Sequence, residues 1–168
     1  MKMMRLLIGL LLLGAASCTS YTDKQYGPVE FEAYFEEGDE DLFEGMNIEA
    51  MATIPFNPEE YGFSKESVGG MRLDRITIKT DNAFKLGVME NIKVEVSSKN
   101  TEMLTIGVLN EVPDAVEVSF EGLEEAKIKK FKSVDEFYLI ISGNLLKSIE
   151  EPFRIYGEFT LNVESSEE

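Results

Sequence analysis

What most constrains the fold of this chain is a period of two. Val29, Phe31, Ala33 and Phe35 alternate with Glu30, Glu32, Tyr34 and Glu36. Ile48, Ala50, Ala52 and Ile54 share one parity, and so do Ile92, Val94 and Val96, set among Lys93, Glu95 and Ser97. Ile76 and Ile78 fall within LDRITIKT, Leu104, Ile106 and Val108 within MLTIGVLN, and Val116, Val118 and Phe120 alternate with Glu117 and Ser119. The last run is the longest: Phe153, Ile155, Gly157, Phe159, Leu161 and Val163 keep one parity over eleven residues. Successive side chains of a strand point to opposite faces, so each run builds one apolar and one polar face. Phe137 to Ser142 (FYLIIS) is more continuously apolar, the pattern of a strand covered on both faces, and predicts a central position.

Turn-forming residues separate these runs at Glu37-Gly38-Asp39, Pro55 to Pro58, Gly69-Gly70, Asp81-Asn82, Ser98 to Asn100, Pro113-Asp114 and Gly143-Asn144. Eight to ten strands without a long helical pattern predict an all-β fold, an antiparallel β-sandwich. Unequal strand lengths favour a sandwich over a closed barrel. Its strand order, immunoglobulin-like or jelly-roll, stays open, and no Cys-Trp-Cys signature helps. Short helical turns are expected near Ala83–Met89 and Leu123–Lys129, where a 3.6 period is weak. There is no internal repeat. The domain is expected over residues 28–164, with 165–168 as an acidic tail and Glu164 to Glu168 (ESSEE) as a solvated end.

The first twenty residues read MKMMRLLIGLLLLGAASCTS. Lys2 and Arg5 precede the apolar segment Leu6 to Leu13, and small residues lead to Cys18. This is the layout of a secretory signal, shorter than the roughly 20 apolar residues of a spanning helix. Residues 1–17 are therefore expected to be a signal peptide. Ala15-Ala16-Ser17-Cys18 resembles a bacterial lipobox, in which the Cys is lipidated and becomes the new N-terminus; the usual Leu three residues before the Cys is Ala15 here. An ordinary cut after Ser17 is the alternative, because Ala15 and Ser17 are both small. Thr19 to Gly27 (TSYTDKQYG) would follow as a polar tether. A lipobox implies a diacylglycerol anchor at Cys18, stable because two acyl chains hold where one holds marginally. No Asp follows the Cys, which favours the outer membrane by the best-known sorting rule and leaves its face open.

Composition narrows the function. The 168 residues include no His, no Trp and one Cys, with 16 basic against 32 acidic side chains. Without His there is no Ser-His-Asp or Cys-His hydrolase, and no His-ligated zinc or haem. One Cys excludes an intramolecular disulfide, Cys-rich zinc and iron–sulfur clusters. The acidic balance argues against nucleic acid as a partner. The excess is concentrated early: residues 18–66 hold 13 acidic and 2 basic residues.

Several groupings are candidates for chemistry. Glu36-Glu37-Gly38-Asp39-Glu40-Asp41, with Glu44 beyond, is the densest charge. Asp39, Asp41 and Glu44 are its weak candidates for calcium, but the alternating order of a calcium loop is missing. The competing reading is a solvated turn that discourages edge pairing. In Pro55 to Gly70, the longest stretch without a clear strand, Tyr61 and Phe63 are candidates to present aromatic surface to a sugar or partner. The opposed reading folds Phe56 and Phe63 back as a lid on the sandwich edge. Lys127, Lys129, Lys130 and Lys132 form the one basic cluster, and Arg72, Asp74 and Arg75 suggest surface ion pairs.

The Cys18 signal, the span Leu73 to Leu109 and the final run FKSVDEFYLIISGN…FRIYGEFTLNV together resemble the small envelope lipoproteins common in Bacteroidota and some other Gram-negative bacteria. The resemblance carries no catalytic motif, so Cys18 is the one functional residue it transfers. The expectation is a non-catalytic module, lipid-anchored in the envelope, that binds or supports a protein or glycan partner, with no cofactor. The alternative is a calcium-dependent or glycan-binding surface adhesin or lectin. A small carboxylate-based hydrolase is the remote third reading.

Overall fold

A computed structural model describes residues 20–35, 42–81, 84–99, 101–129, 134–150 and 153–166. Cys18, the signal segment, Asp39, Asp41, Lys130 and Lys132 lie outside them.

Eight strands make up the fold: β1 (Tyr21–Phe35), β2 (Asn47–Pro55), β3 (Val68–Thr80), β4 (Ile92–Ser98), β5 (Thr101–Leu109), β6 (Glu117–Glu121), β7 (Glu136–Asn144) and β8 (Phe153–Ser166). They form two four-stranded antiparallel sheets, β1-β8-β3-β6 and β2-β7-β4-β5. Strand β1 pairs with β8, β2 with β7, β3 with β6, and β4 with β5. The chain is thus one long hairpin whose turn lies between β4 and β5, rolled so that its rungs fall alternately in the two sheets. That is the jelly-roll order, and it settles the question the sequence left open.

The core lies between the sheets. Phe31, Phe35, Ile76, Ile78, Ile155, Phe159 and Leu161 face it from the first sheet; Ile54, Val94, Val96, Ile106, Phe137, Leu139 and Ile141 face it from the second. Phe137 and Phe159 bridge it from the two sheets, with ring centroids 6.2 Å apart, and Phe35 packs on its strand neighbour Phe153 at 4.7 Å. Strand β7 is central, between β2 and β4. Its outward residues Ile140 and Ser142 are nonetheless buried, which explains why FYLIIS shows no alternation.

The strand edges correct three expectations. Tyr21 to Tyr26 are not a tether: they pair with Leu161 to Ser166, and Tyr26 is 1% exposed. Gly27 and Pro28, with a register shift between Tyr26 and Val29, interrupt the alternation and hide this half of β1. Gly27 sits at φ 116°, and a Cβ there would come within 2.7 Å of the Phe159 carbonyl oxygen. Glu164 to Ser166 are likewise strand rather than tail, with Ser165 buried. Of the expected helical turns, Leu86–Val88 is a single 3₁₀ turn, whereas the 123–129 stretch is a turn leading to an isolated bridge between Ile128 and Met71. A second 3₁₀ turn at Pro58–Tyr61 opens on Pro58, whose missing N–H costs nothing there. Among the described residues no helix is long and apolar enough to cross a membrane.

Candidate functional site

Alternation fixes the outer face of the first sheet as firmly as it fixes the core. With Phe31, Ala33 and Phe35 turned inward, Glu30, Glu32 and Tyr34 of β1 face out. With Ile155 and Phe159 inward, Arg154, Tyr156 and Glu158 of β8 face out beside them. Register then aligns Glu30 with Glu158, Glu32 with Tyr156 and Tyr34 with Arg154, and brings Lys79 of β3 up to Tyr156 from the other side. Glu30, Glu32, Lys79, Arg154, Tyr156 and Glu158, with Phe31 and Gly157, line an open depression of about 610 Å³, and Tyr34 stands beside it. Gly157 makes its floor. It lies between Phe31 and Ile78, and a Cβ there would run into the Thr77 carbonyl oxygen.

One network organises the rim. The Arg154 guanidinium donates to Glu32 Oε1 (3.2 Å) and to Asp81 Oδ1 (2.9 Å). Tyr34 Oη–H donates to the same Glu32 oxygen at 2.6 Å. The Tyr34 hydrogen bond, then Arg154, hold the Glu32 carboxyl below the usual carboxylate range. The same bond raises the Tyr34 phenol, and Asp81 and Glu32 raise Arg154 further above its already high value. Arg154 also lies over the Tyr156 ring, 5.4 Å from its centroid, and so orients that ring. Lys79 pairs with Glu117 at 3.1 Å. Glu30 and Glu158 stand directly opposite each other and have no ion pair among the described residues, an arrangement that opposes sheet pairing. The depression therefore offers fixed tyrosine surface, free carboxylate acceptors and two held cations.

The candidates from the sequence fall elsewhere. Phe63 is 6% exposed and packs in the core, with Phe56 fully buried nearby; this is the lid arrangement. Tyr61 is half-buried, its ring 4.5 Å from that of Tyr26 and its hydroxyl donating to the Pro28 carbonyl at 3.4 Å. Glu44 is exposed, and its backbone N–H donates to Ser148 Oγ at 3.2 Å. Among the described residues no three acidic or Cys side chains are grouped to hold a metal. Lys127 pairs with Glu164, which also takes Arg72 at 3.9 Å, while Arg75 pairs with Glu121 at 3.7 Å. Asp74 accepts from Thr160 and Asn162 rather than from either Arg.

Sequence reasoning missed Tyr34, Asp81, Arg154, Tyr156, Glu30, Glu32 and Glu158 as a group. Their outward parity was legible in each run; that β1 and β8 are neighbours was not. No protein-family model matches this chain, and no curated protein matches it in sequence.

Proposed function

We propose that this chain is a non-catalytic binding module of the cell envelope, held at the outer membrane by lipid on Cys18. It would take a glycan or protein partner on the outer face of the first sheet. The observation that carries the reading is the open depression between β1, β8 and β3. Its Tyr156 ring suits stacking on a sugar or a partner side chain, and Glu30 and Glu158, without an ion pair among the described residues, suit hydroxyl or amine donors. Its shallowness suits binding an extended surface rather than enclosing a reacting group. The signal layout supports the anchor.

Two measurements test the parts separately. Cys18→Ala should move the protein from the membrane fraction to the soluble one; a variant that stays with the membrane removes the anchor from the proposal. Capture of partners from membranes, and binding across a glycan array, should fall for Tyr156→Ala and Glu158→Ala. Binding unchanged by both substitutions would move the site away from this face. The facing pair Glu30 and Glu158 gives the calcium-dependent adhesin a specific form. In that reading millimolar calcium raises the melting temperature and Glu158→Gln abolishes the rise.

A further inference from the structure

A sandwich has four open edges, and three of these carry a device against edge-to-edge pairing. Strand β1 has Pro28, a register shift, and Glu30 and Glu32. Strand β6 is five residues long. Strand β5 shifts register against β4 twice, and its Ile106 carbonyl already accepts from Leu123 N–H at 2.8 Å.

Strand β2 has the least: one acid, Glu49, and Pro55 at its end. It pairs with β7 over nine residues, Asn47 to Pro55, without a shift, and it contains no Lys or Arg. Which backbone groups face its open edge follows from its ends. The Met46 carbonyl accepts from Leu145 N–H, and Phe56 N–H donates to the Asp135 carbonyl, both at 2.8 Å. Antiparallel bonding alternates, so the even-numbered residues between them turn toward β7. Asn47, Glu49, Met51 and Thr53 therefore aim their N–H and C=O groups outward. Among the described residues no hydrogen bond reaches the backbone of these four from that side; the Pro55 carbonyl accepts from Tyr26 Oη.

We propose that this edge pairs with the same edge of a second copy of this chain, antiparallel, about a two-fold axis through Met51. The register is self-complementary. Met51 meets Met51 of the second copy, Glu49 meets Thr53, Ala50 meets Ala52, and Ile48 meets Ile54. No like charges meet, which neither Glu49-on-Glu49 nor a charged edge such as β1 would allow. The open groups of Glu49, Met51 and Thr53 supply about six backbone hydrogen bonds. Met51 is 57% exposed and pairs across β7 with Ile140, which faces outward yet is 4% exposed. The dimer extends this into one apolar row, Ile140–Met51–Met51–Ile140, across an eight-stranded sheet. Each chain carries a formal charge of -16, so association strengthens with salt. One nine-residue strand a side falls short of the roughly 20–30 residues a side of a standard interface, so the dimer is concentration-dependent.

The test uses the full chain with Cys18→Ala, which leaves no native thiol. Across a hydrogen-bonded antiparallel pair the Cα atoms stand about 5.5 Å apart, within disulfide reach. Met51→Cys should cross-link under mild oxidation about tenfold faster than Glu30→Cys on the β1 edge, because pairing raises the local thiol concentration. Sedimentation should show a dimer favoured by salt, kept by Met51→Leu and lost in Met51→Lys, whose melting temperature stays near that of the parent. Equal cross-linking at the two positions, or Met51→Lys associating like the parent, would overturn the proposal. So would a chain monomeric at every concentration and salt, the result expected of an edge reserved for another protein's strand.

Discussion

Tyr26 gives the sharpest test of how this fold is held at its start, because the sequence places it in a solvated tether and the structure in the core. Its ring packs on Tyr61 (4.5 Å), Phe56 (5.4 Å) and Phe63 (6.4 Å). Its hydroxyl donates to the Pro55 carbonyl (3.1 Å) and accepts from Asn57 N–H (3.3 Å), joining β1 to the loop beyond β2. Removing a buried aromatic ring costs about 3–5 kcal/mol. Leaving two backbone groups without their shared partner costs about 1–2 kcal/mol. Tyr26→Phe isolates the second effect, so it should lose about 1–2 kcal/mol, and Tyr26→Ala about 4–7 kcal/mol. The larger loss is a sizeable part of the roughly 5–15 kcal/mol that holds a typical domain. Urea titration followed by far-UV circular dichroism measures both, since the chain has no Trp to report by fluorescence. If Tyr26→Ala costs less than about 1 kcal/mol, as an exposed position would, the strand assignment and the packing argument both fail. There is a pH signature as well. Burial, above all, raises the Tyr26 phenol above its ordinary value. Its contribution is full below the unfolded-state pKa of about 10 and falls as pH rises through the folded-state value. Tyr26→Phe should flatten that alkaline loss.

Three further outcomes follow from the first sheet. Gly157→Ala forces β8 away from the Thr77 carbonyl and should cost about 1–3 kcal/mol, read as a lowered melting temperature. Tyr34→Phe and Arg154→Ala should each raise the Glu32 carboxyl pKa toward the ordinary range in a carboxyl NMR titration, because the Tyr34 hydrogen bond and the Arg154 hydrogen bond and charge all lower it. Correspondingly, what this network contributes is present above the ordinary carboxylate pKa and lost as pH falls through the lowered one. Ser165→Ala removes one of the two partners of Ser67 Oγ, 3.0 Å away, and should cost about 1 kcal/mol; at a solvated tail the same change would leave the melt unmoved.

The fold was legible wherever one face of a strand is buried, because a period of two then marks that face. All eight runs from Val29 to Val163 became strands, and FYLIIS became the central one. It failed where apolar burial stops, even though Ser165 is itself buried. Thr22 to Gln25 and Glu164 to Ser166 pair backbone to backbone beyond most of the core, so their polar side chains gave no sign of the ladder beneath. The site failed for another reason. Glu32 and Arg154 lie 122 residues apart, and only the β1–β8 register joins them. Tyr61 and Phe63 drew attention as aromatics in a loop, whereas Tyr26, the residue that holds both rings in place, lies on the far side of Gly27.

The adjacency of the first and last strands also dictates an order of events in folding. Thr22 bonds to the Ser165 carbonyl across 143 residues of chain, and β8 sits between β1 and β3 at the middle of its sheet. Until the final fourteen-residue strand is available, β1 has no neighbour in its sheet. The second sheet and the β4–β5 hairpin can assemble from shorter loops, but the first sheet closes last and against the largest loop entropy. A growing chain therefore keeps half of its sandwich open until β8 has been made.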